Sequence, residues 1–243
     1  MSVHRFYVPP ENISGDKIKI SGSEAKHAFL VLRAKINDEV IVFDGTGNQY
    51  WGIVSSCDKN GGIININKTV SLGRSRVSIV LALAIPKKAR FDEIVDKAAQ
   101  LGVEKVIPMI TENTVVKIKS DNQEKKVVRW QRIAVTAAKQ CGSGYVPEIT
   151  RVCEFKNVIN DIDGFSLALI GSCQKGAVLL KDIVKGKKPK SVIVFIGPEG
   201  DFSVQEIEAA VQKGCFNISL GNFVLRCDTA VSAILSILNY EWQ

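Results

Sequence analysis

The feature that most constrains this chain is a change in hydrophobic period about 72 residues along it. Before that point, short runs rich in apolar and β-branched residues recur at Arg5–Val8, Lys17–Ile20, Glu39–Phe43, Tyr50–Ser55 and Ile63–Val70. Asp44-Gly-Thr-Gly-Asn48 and Lys59-Asn-Gly-Gly62 separate them with the residue types that tight hairpin turns require. One helical stretch, Ser23–Ala34, interrupts the strands. Strands this short hide their edges by closing on one another, so residues 1–72 are expected to form a small β-barrel domain. After a linker at Ser71–Arg76 the chain alternates strands with helices, which predicts an α/β domain over 73–243 with a largely parallel sheet.

In that second part, Val77–Ile85 is a continuous apolar strand, and the next helix aligns Phe91, Ile94, Ala98 and Leu101 on one stripe. Val103–Ile110 returns as a strand, and a long helix runs from about Gln123 to Cys141 until Gly142-Ser-Gly144 stops it. Further strands are expected at Leu167–Ile170, Val192–Ile196 and Ile218–Leu220, with helices at Ser203–Lys213 and about Thr229–Tyr240. With 243 residues, 46% of them apolar, the chain can bury a self-supporting core. No apolar run approaches the roughly 18 residues of a membrane span. The first residues lack the apolar stretch of a secretory signal, so a cytoplasmic protein is expected.

The charge narrows the partners. Lys and Arg number eight against seven acidic residues over 1–72, but 24 against 18 over 73–243. The excess is clustered: Lys87, Lys88 and Arg90; Lys117, Lys119, Lys125, Lys126, Arg129 and Arg132; and Lys181, Lys185, Lys187, Lys188 and Lys190. Such groups suit a phosphate backbone, or else form a solvated surface. The six cysteines, at 57, 141, 153, 173, 215 and 227, contain no Cys-x-x-Cys pair, and only two histidines exist, His4 and His27. A zinc knuckle, a dithiol redox site and a His-rich metal centre are therefore not expected.

Two loops follow sheet strands, where open α/β sheets place their ligands. The first, Ile196-Gly-Pro-Glu-Gly-Asp-Phe-Ser203, exposes backbone and ends in a Ser203/Glu206 capping box. It reads either as a plain turn or as a ligand cradle. The second, Leu220–Ala230, sets the apolar Phe223, Val224 and Leu225 before Arg226, Asp228 and Thr229. Asp228 or Thr229 could cap the next helix and Arg226 could pair with Asp228, or the loop could wall a pocket with a cation at its mouth. Neither loop matches a phosphate-binding P-loop or a dinucleotide fingerprint.

Taken in order, His4-Arg5-Phe6, Val31-Leu-Arg33, Phe43-Asp-Gly45, Lys97-Ala-Ala-Gln-Leu-Gly-Val103, Val146-Pro147, Ile196-Gly-Pro-Glu-Gly200, and Leu220-Gly221 with Leu225-Arg226 resemble the ribosomal RNA small subunit methyltransferase E family. These are 16S rRNA uracil N3-methyltransferases of the SPOUT superfamily. The chain departs from that pattern at Gln100, at Gly142–Tyr145, at Asp201, where the family usually has a second glycine, and at Cys227-Asp228, where it usually has Thr-Glu.

The resemblance implies an α/β protein with an N-terminal PUA-like β-barrel and a C-terminal SPOUT domain bearing a trefoil knot. It implies a homodimer acting on 16S rRNA or the small ribosomal subunit, with S-adenosyl-L-methionine as cofactor and no metal. Ile170, Gly171, Gly197, Pro198, Glu199, Gly200, Leu220, Gly221, Leu225 and Thr229 would line the cofactor pocket. Arg226 would stand beside the methyl group and the uracil, with Asp228 orienting it or taking a proton. His4, Arg5, Arg33, Lys87, Lys88, Arg90 and Arg129 are the expected RNA contacts. A SPOUT enzyme with another RNA target and a non-catalytic RNA-binding homologue are the competing expectations.

Overall fold

The computed structural model describes residues 3–74, 76–87, 90–116 and 120–242, apart from the side chains of 120 and 121. The chain divides into two compact units. The first runs up to Arg74 and also takes in Ala138–Val146, a segment the sequence pattern places in the second domain.

In the first unit β1 (His4–Tyr7), β2 (Ile13–Ser14), β3 (Lys17–Ser21), β4 (Glu39–Phe43), β5 (Asn48–Cys57) and β6 (Gly61–Ser71) form one sheet in the order β1-β4-β5-β6-β3-β2. Only β1 and β4 are parallel; the other neighbours are antiparallel. Along β3, Ile18 and Ile20 are buried while Lys17, Lys19 and Ser21 face out, the period-2 pattern that fixes register. Those isoleucines join Phe6, Val8, Val40, Val42, Val54 and Ile64 in a single core. The expected helix is α1 (Gly22–Ala25), which continues as a π-turn over Lys26–Val31.

Segment 138–146 belongs here through specific bonds. Gly47 N donates to Gly144 O at 3.0 Å and Val146 N to Gly45 O at 3.1 Å. Tyr145 Oη donates to Leu72 O at 2.7 Å, and Lys139 Nζ meets both oxygens of Glu24 at 3.1 Å. None of these pairs is close in sequence, so local pattern could not reveal them.

The second unit holds β7 (Ser78–Ala84), α2 (Arg90–Gln100), β8 (Lys105–Ile110), most of α3 (Ser120–Cys141), β9 (Glu148–Ile149), β10 (Cys153–Glu154), α4 (Phe155–Asn160) and β11 (Leu167–Gly171). It continues with β12 (Val178–Leu179), α5 (Leu180–Val184), β13 (Ser191–Ile196), α6 (Val204–Gln212), β14 (Phe216–Ser219) and α7 (Cys227–Trp242). Its strands run β10-β8-β7-β13-β11-β14-β12, with β9 on β8, and every pairing is parallel. A parallel sheet covered on both faces needs strands that are apolar throughout, as Ile79–Ala84 and Val192–Ile196 are. Phe155 packs its ring 5.8 Å from that of Phe195 and 5.4 Å from that of Phe202, between α4 and the sheet. No helix among the described residues is long and apolar enough to cross a membrane.

Candidate functional site

Strand order decides where a ligand can sit in the second unit. β13 lies between β7 and β11, and β11 between β13 and β14. Gly171 stands opposite both Ile196 and Ile218, so the three strands end level with one another. Parallel strands send their following loops out of the same edge. The loops after β11, β13 and β14 therefore converge, and residues 172–177, 197–199, 201 and 220–226 of them line a cavity of about 520 Å³.

Each loop is held from several sides. In the loop after β13, a Cβ on Gly197 would lie 3.1 Å from the Phe202 ring and 3.2 Å from the Phe202 backbone nitrogen, a crowding that glycine avoids. Asp201 takes φ 59°, a left-handed conformation that suits the glycine usual in the resembling family and that aspartate tolerates better than most side chains. Lys87 N donates to both oxygens of Glu199 at 3.1 and 3.2 Å, while Asn113 Nδ2 donates to Gly200 O at 3.1 Å and Asp201 O at 3.0 Å. The expected capping box is present: Glu206 N donates to Ser203 Oγ, and Ser203 N to Glu206 Oε2.

In the loop after β14, Gly221 takes φ 131° and its N–H donates to Ser219 Oγ at 3.2 Å. Phe223 and Val224 line the cavity but stand 86% and 80% exposed. Arg226 is also exposed, and among the described residues nothing pairs with its guanidinium; its carbonyl accepts Ala230 N–H at 2.8 Å and so opens α7. Next to it, Cys227 is buried and its Sγ donates to Gly197 O at 3.2 Å, joining this loop to the previous one. Burial pushes the Cys227 thiol up to about 11, with the Glu199 charge adding to the rise, so the proton this bond needs is retained at neutral pH.

Of the residues expected to hold the cofactor, Gly171, Gly197, Pro198, Glu199, Leu220, Gly221 and Leu225 line the cavity, as does Arg226. Ile170 is fully buried in the sheet beneath it, and Gly200 and Thr229 are not part of the lining. Asp228 is not part of the lining; its Oδ2 pairs with Lys97 Nζ of α2 at 3.6 Å. The loop 172–177 went unread because Ser-Cys-Gln-Lys-Gly-Ala carries no Gly-Pro punctuation; its position after a sheet strand was the available signal.

The expected RNA contacts divide in the same way. Arg33, at φ 57°, and Lys87 are exposed, and His4 and Arg90 are half-buried. Lys88 lies outside the described residues. Arg5 is engaged within the first unit: its guanidinium donates to Gly142 O and Ser143 O, both at 2.9 Å, and lies 4.9 Å from the Phe43 ring centre. Burial lowers its pKa, as expected of a cation holding structure together instead of facing solvent. Arg129 pairs with Asp92, which also accepts Trp130 Nε1–H at 3.0 Å.

Comparison with known proteins places this geometry. The sequence model of the RNA methyltransferase domain family matches residues 73–239, and that of the RNA methyltransferase PUA domain matches 20–67. Ribosomal RNA small subunit methyltransferase E of Mesomycoplasma hyopneumoniae is 31% identical over 70% of this chain and 73% of its own. The chain belongs to the ribosomal RNA small subunit methyltransferase E family. The Synechocystis member is 29% identical over 97% of this chain and 77% of its own. The Neisseria gonorrhoeae member, whose crystal structure is bound to S-adenosyl methionine, superposes with a TM-score of 0.89 at 27% identity, covering 99% of this chain and 98% of that one. Family membership thus agrees with the α/β unit and the PUA unit.

Proposed function

We propose that this chain methylates N3 of a uracil in 16S rRNA of the small ribosomal subunit, using S-adenosylmethionine bound where the loops after β11, β13 and β14 meet. The observation that carries this reading is the three-loop cavity lined by the exposed Arg226, whose guanidinium has no partner among the described residues. Its volume falls in the range of roughly 300–1,000 Å³ usual for small-molecule sites. Its walls fit a nucleoside-sized ligand with a charged tail: glycine backbone at 171, 197 and 221, apolar Ile196, Ile218 and Leu225, and the carboxylate of Glu199.

The cofactor supplies a methyl group already activated on sulfonium sulfur, so the protein needs alignment and charge placement more than a nucleophile. Backbone groups of the clamped loops hold and orient the ligand. Arg226 places a positive charge beside the base, where it favours the imide anion formed as the N3 proton passes to solvent water. Asp228, tied to Lys97, fixes the first turn of α7 and with it the direction of Arg226. The exposed Arg33 and Lys87 and the half-buried Arg90 contact RNA phosphates, and the target base leaves its stack to reach the cavity.

In the proposed architecture the sheet of the first unit curls into a PUA-like barrel over residues 1–72, and the SPOUT domain over 73–243 is knotted. The placement of β13 between β7 and β11 supports the knot. The protein works in the cytoplasm as a homodimer, for which the exposed Phe223, Val224 and Tyr240 supply apolar surface.

The test is transfer of labelled methyl from S-adenosylmethionine to small subunits lacking the modification, followed by nucleoside mass spectrometry, with tRNA as the control acceptor. One N3-methyluridine per 16S rRNA is expected. Label in tRNA alone would move the activity to another RNA, and no transfer would leave an RNA-binding protein. Arg226→Ala should lower kcat by about 10²–10³ while donor affinity is retained.

A further inference from the structure

We infer that Asp201 is a positioning residue of the cavity, its carboxylate tying the loop after β11 to the loop after β13 before any ligand arrives. The inference rests on the reading of this cavity as the methyl-donor site. Asp201 holds a left-handed backbone, φ 59°, that most side chains avoid, and its two oxygens act in different directions. Oδ1 accepts the N–H of the next residue, Phe202, at 2.8 Å and steadies its own turn. Oδ2 accepts Cys173 N–H at 2.9 Å, 28 positions away in sequence, and so reaches the other loop.

A second bond lies beside it: Gln174 Nε2 donates to Phe202 O at 3.0 Å. From the opposite side Asn113, in the segment after β8, donates to Asp201 O. Asp201 is thus the residue through which the segments after β8, β11 and β13 are all connected. Without it, the Gln174 side chain is the remaining hydrogen-bond link among the described residues from loop 172–177 to the loop after β13, since the loop's other bonds there join Ser172 to Ile218 and Asn217 and Gln174 to Ser172. A loop left free would lose conformational freedom when the donor binds, and affinity would fall by that cost. A bond accepted by a charged carboxylate is strong enough to matter.

Asp201→Gly tests this, because glycine adopts φ 59° without strain and the variant should fold. Asp201→Asn keeps one acceptor oxygen and tolerates the same backbone. In the ligand-free full-length protein, amide hydrogen exchange over 172–177 should quicken by about tenfold in Asp201→Gly and less in Asp201→Asn. Calorimetry should show S-adenosylmethionine binding weakened by about the same factor in Asp201→Gly. Unchanged exchange in Asp201→Gly would overturn the tie. Weaker binding with unchanged exchange would do so too, by pointing to direct contact between Asp201 and the ligand. Wild-type protein that fails to bind the donor would sink the functional reading alone, since the exchange contrast would still decide the role of Asp201.

Discussion

Asp44 is nearly fully buried, yet its carboxyl is held below the ordinary carboxylate range. Burial pushes the pKa up, but hydrogen bonds outweigh it: Asn48 Nδ2 at 2.9 Å, Thr46 N at 2.8 Å, Thr46 Oγ1 at 2.8 Å and Asn48 N at 3.3 Å. A carboxylate whose pKa falls on folding stabilises the fold fully above its unfolded value of about 3.9, and that contribution is lost as pH drops through the lower folded value. Asp44→Ala should destabilise the protein by about 2 kcal/mol in urea titrations at pH 7, and by less at pH 3. Cysteines separate by the same reasoning. Burial raises the Cys215 thiol to about 12 and Cys227 to about 11, whereas Cys141 and Cys173 are exposed. Mass spectrometry after brief alkylation of native protein at pH 8 should find label on Cys141 and none on Cys215 or Cys227. Single residues were legible where their partners are near in sequence, as in the Asp44-Gly45 turn. Partners distant in sequence were not legible: Arg5 donates to carbonyls more than 130 positions on, and Asp228 pairs with Lys97.

At the scale of elements, long and strongly periodic segments could be read and short ones could not. The helices α2, α3, α6 and α7 and the apolar strands β7, β11 and β13 fall where hydrophobic period and caps place them. The two-residue strands β9, β10 and β12 and the short helices α4 and α5 exist only because the sheet edge and neighbouring loops complete them. α6 was the best-marked helix start, since Ser203 and Glu206 satisfy each other's backbone donors. Glu206 also accepts Glu112 N–H at 2.9 Å, so the cap also holds the segment after β8. Ser203→Ala should cost about 1 kcal/mol in thermal or urea unfolding. Donor affinity should fall with it, because the cap directly follows the Gly197–Phe202 turn.

For the whole molecule, two different periods in one sequence imply two sheets of different kinds, and the structure has them: one mostly antiparallel, one wholly parallel. The order of the parallel strands could not be read, because each strand is equally apolar and pattern alone does not say which neighbours it chooses. That order makes the site, since it brings together three loops spread over some 55 positions of sequence, from 172 to 226. The return of 138–146 to the first unit was hidden for a similar reason, resting on bonds to Gly45, Gly47 and Leu72. The central claim is that these loops grip a methyl donor chiefly through main-chain atoms, and the most direct measurement is a crystal structure of the full chain grown with S-adenosylmethionine. The account predicts electron density for the donor between 171–177, 197–201 and 219–226, its sulfonium methyl pointing toward Arg226. Donor density elsewhere on the chain, or an empty cavity at saturating donor, would contradict it.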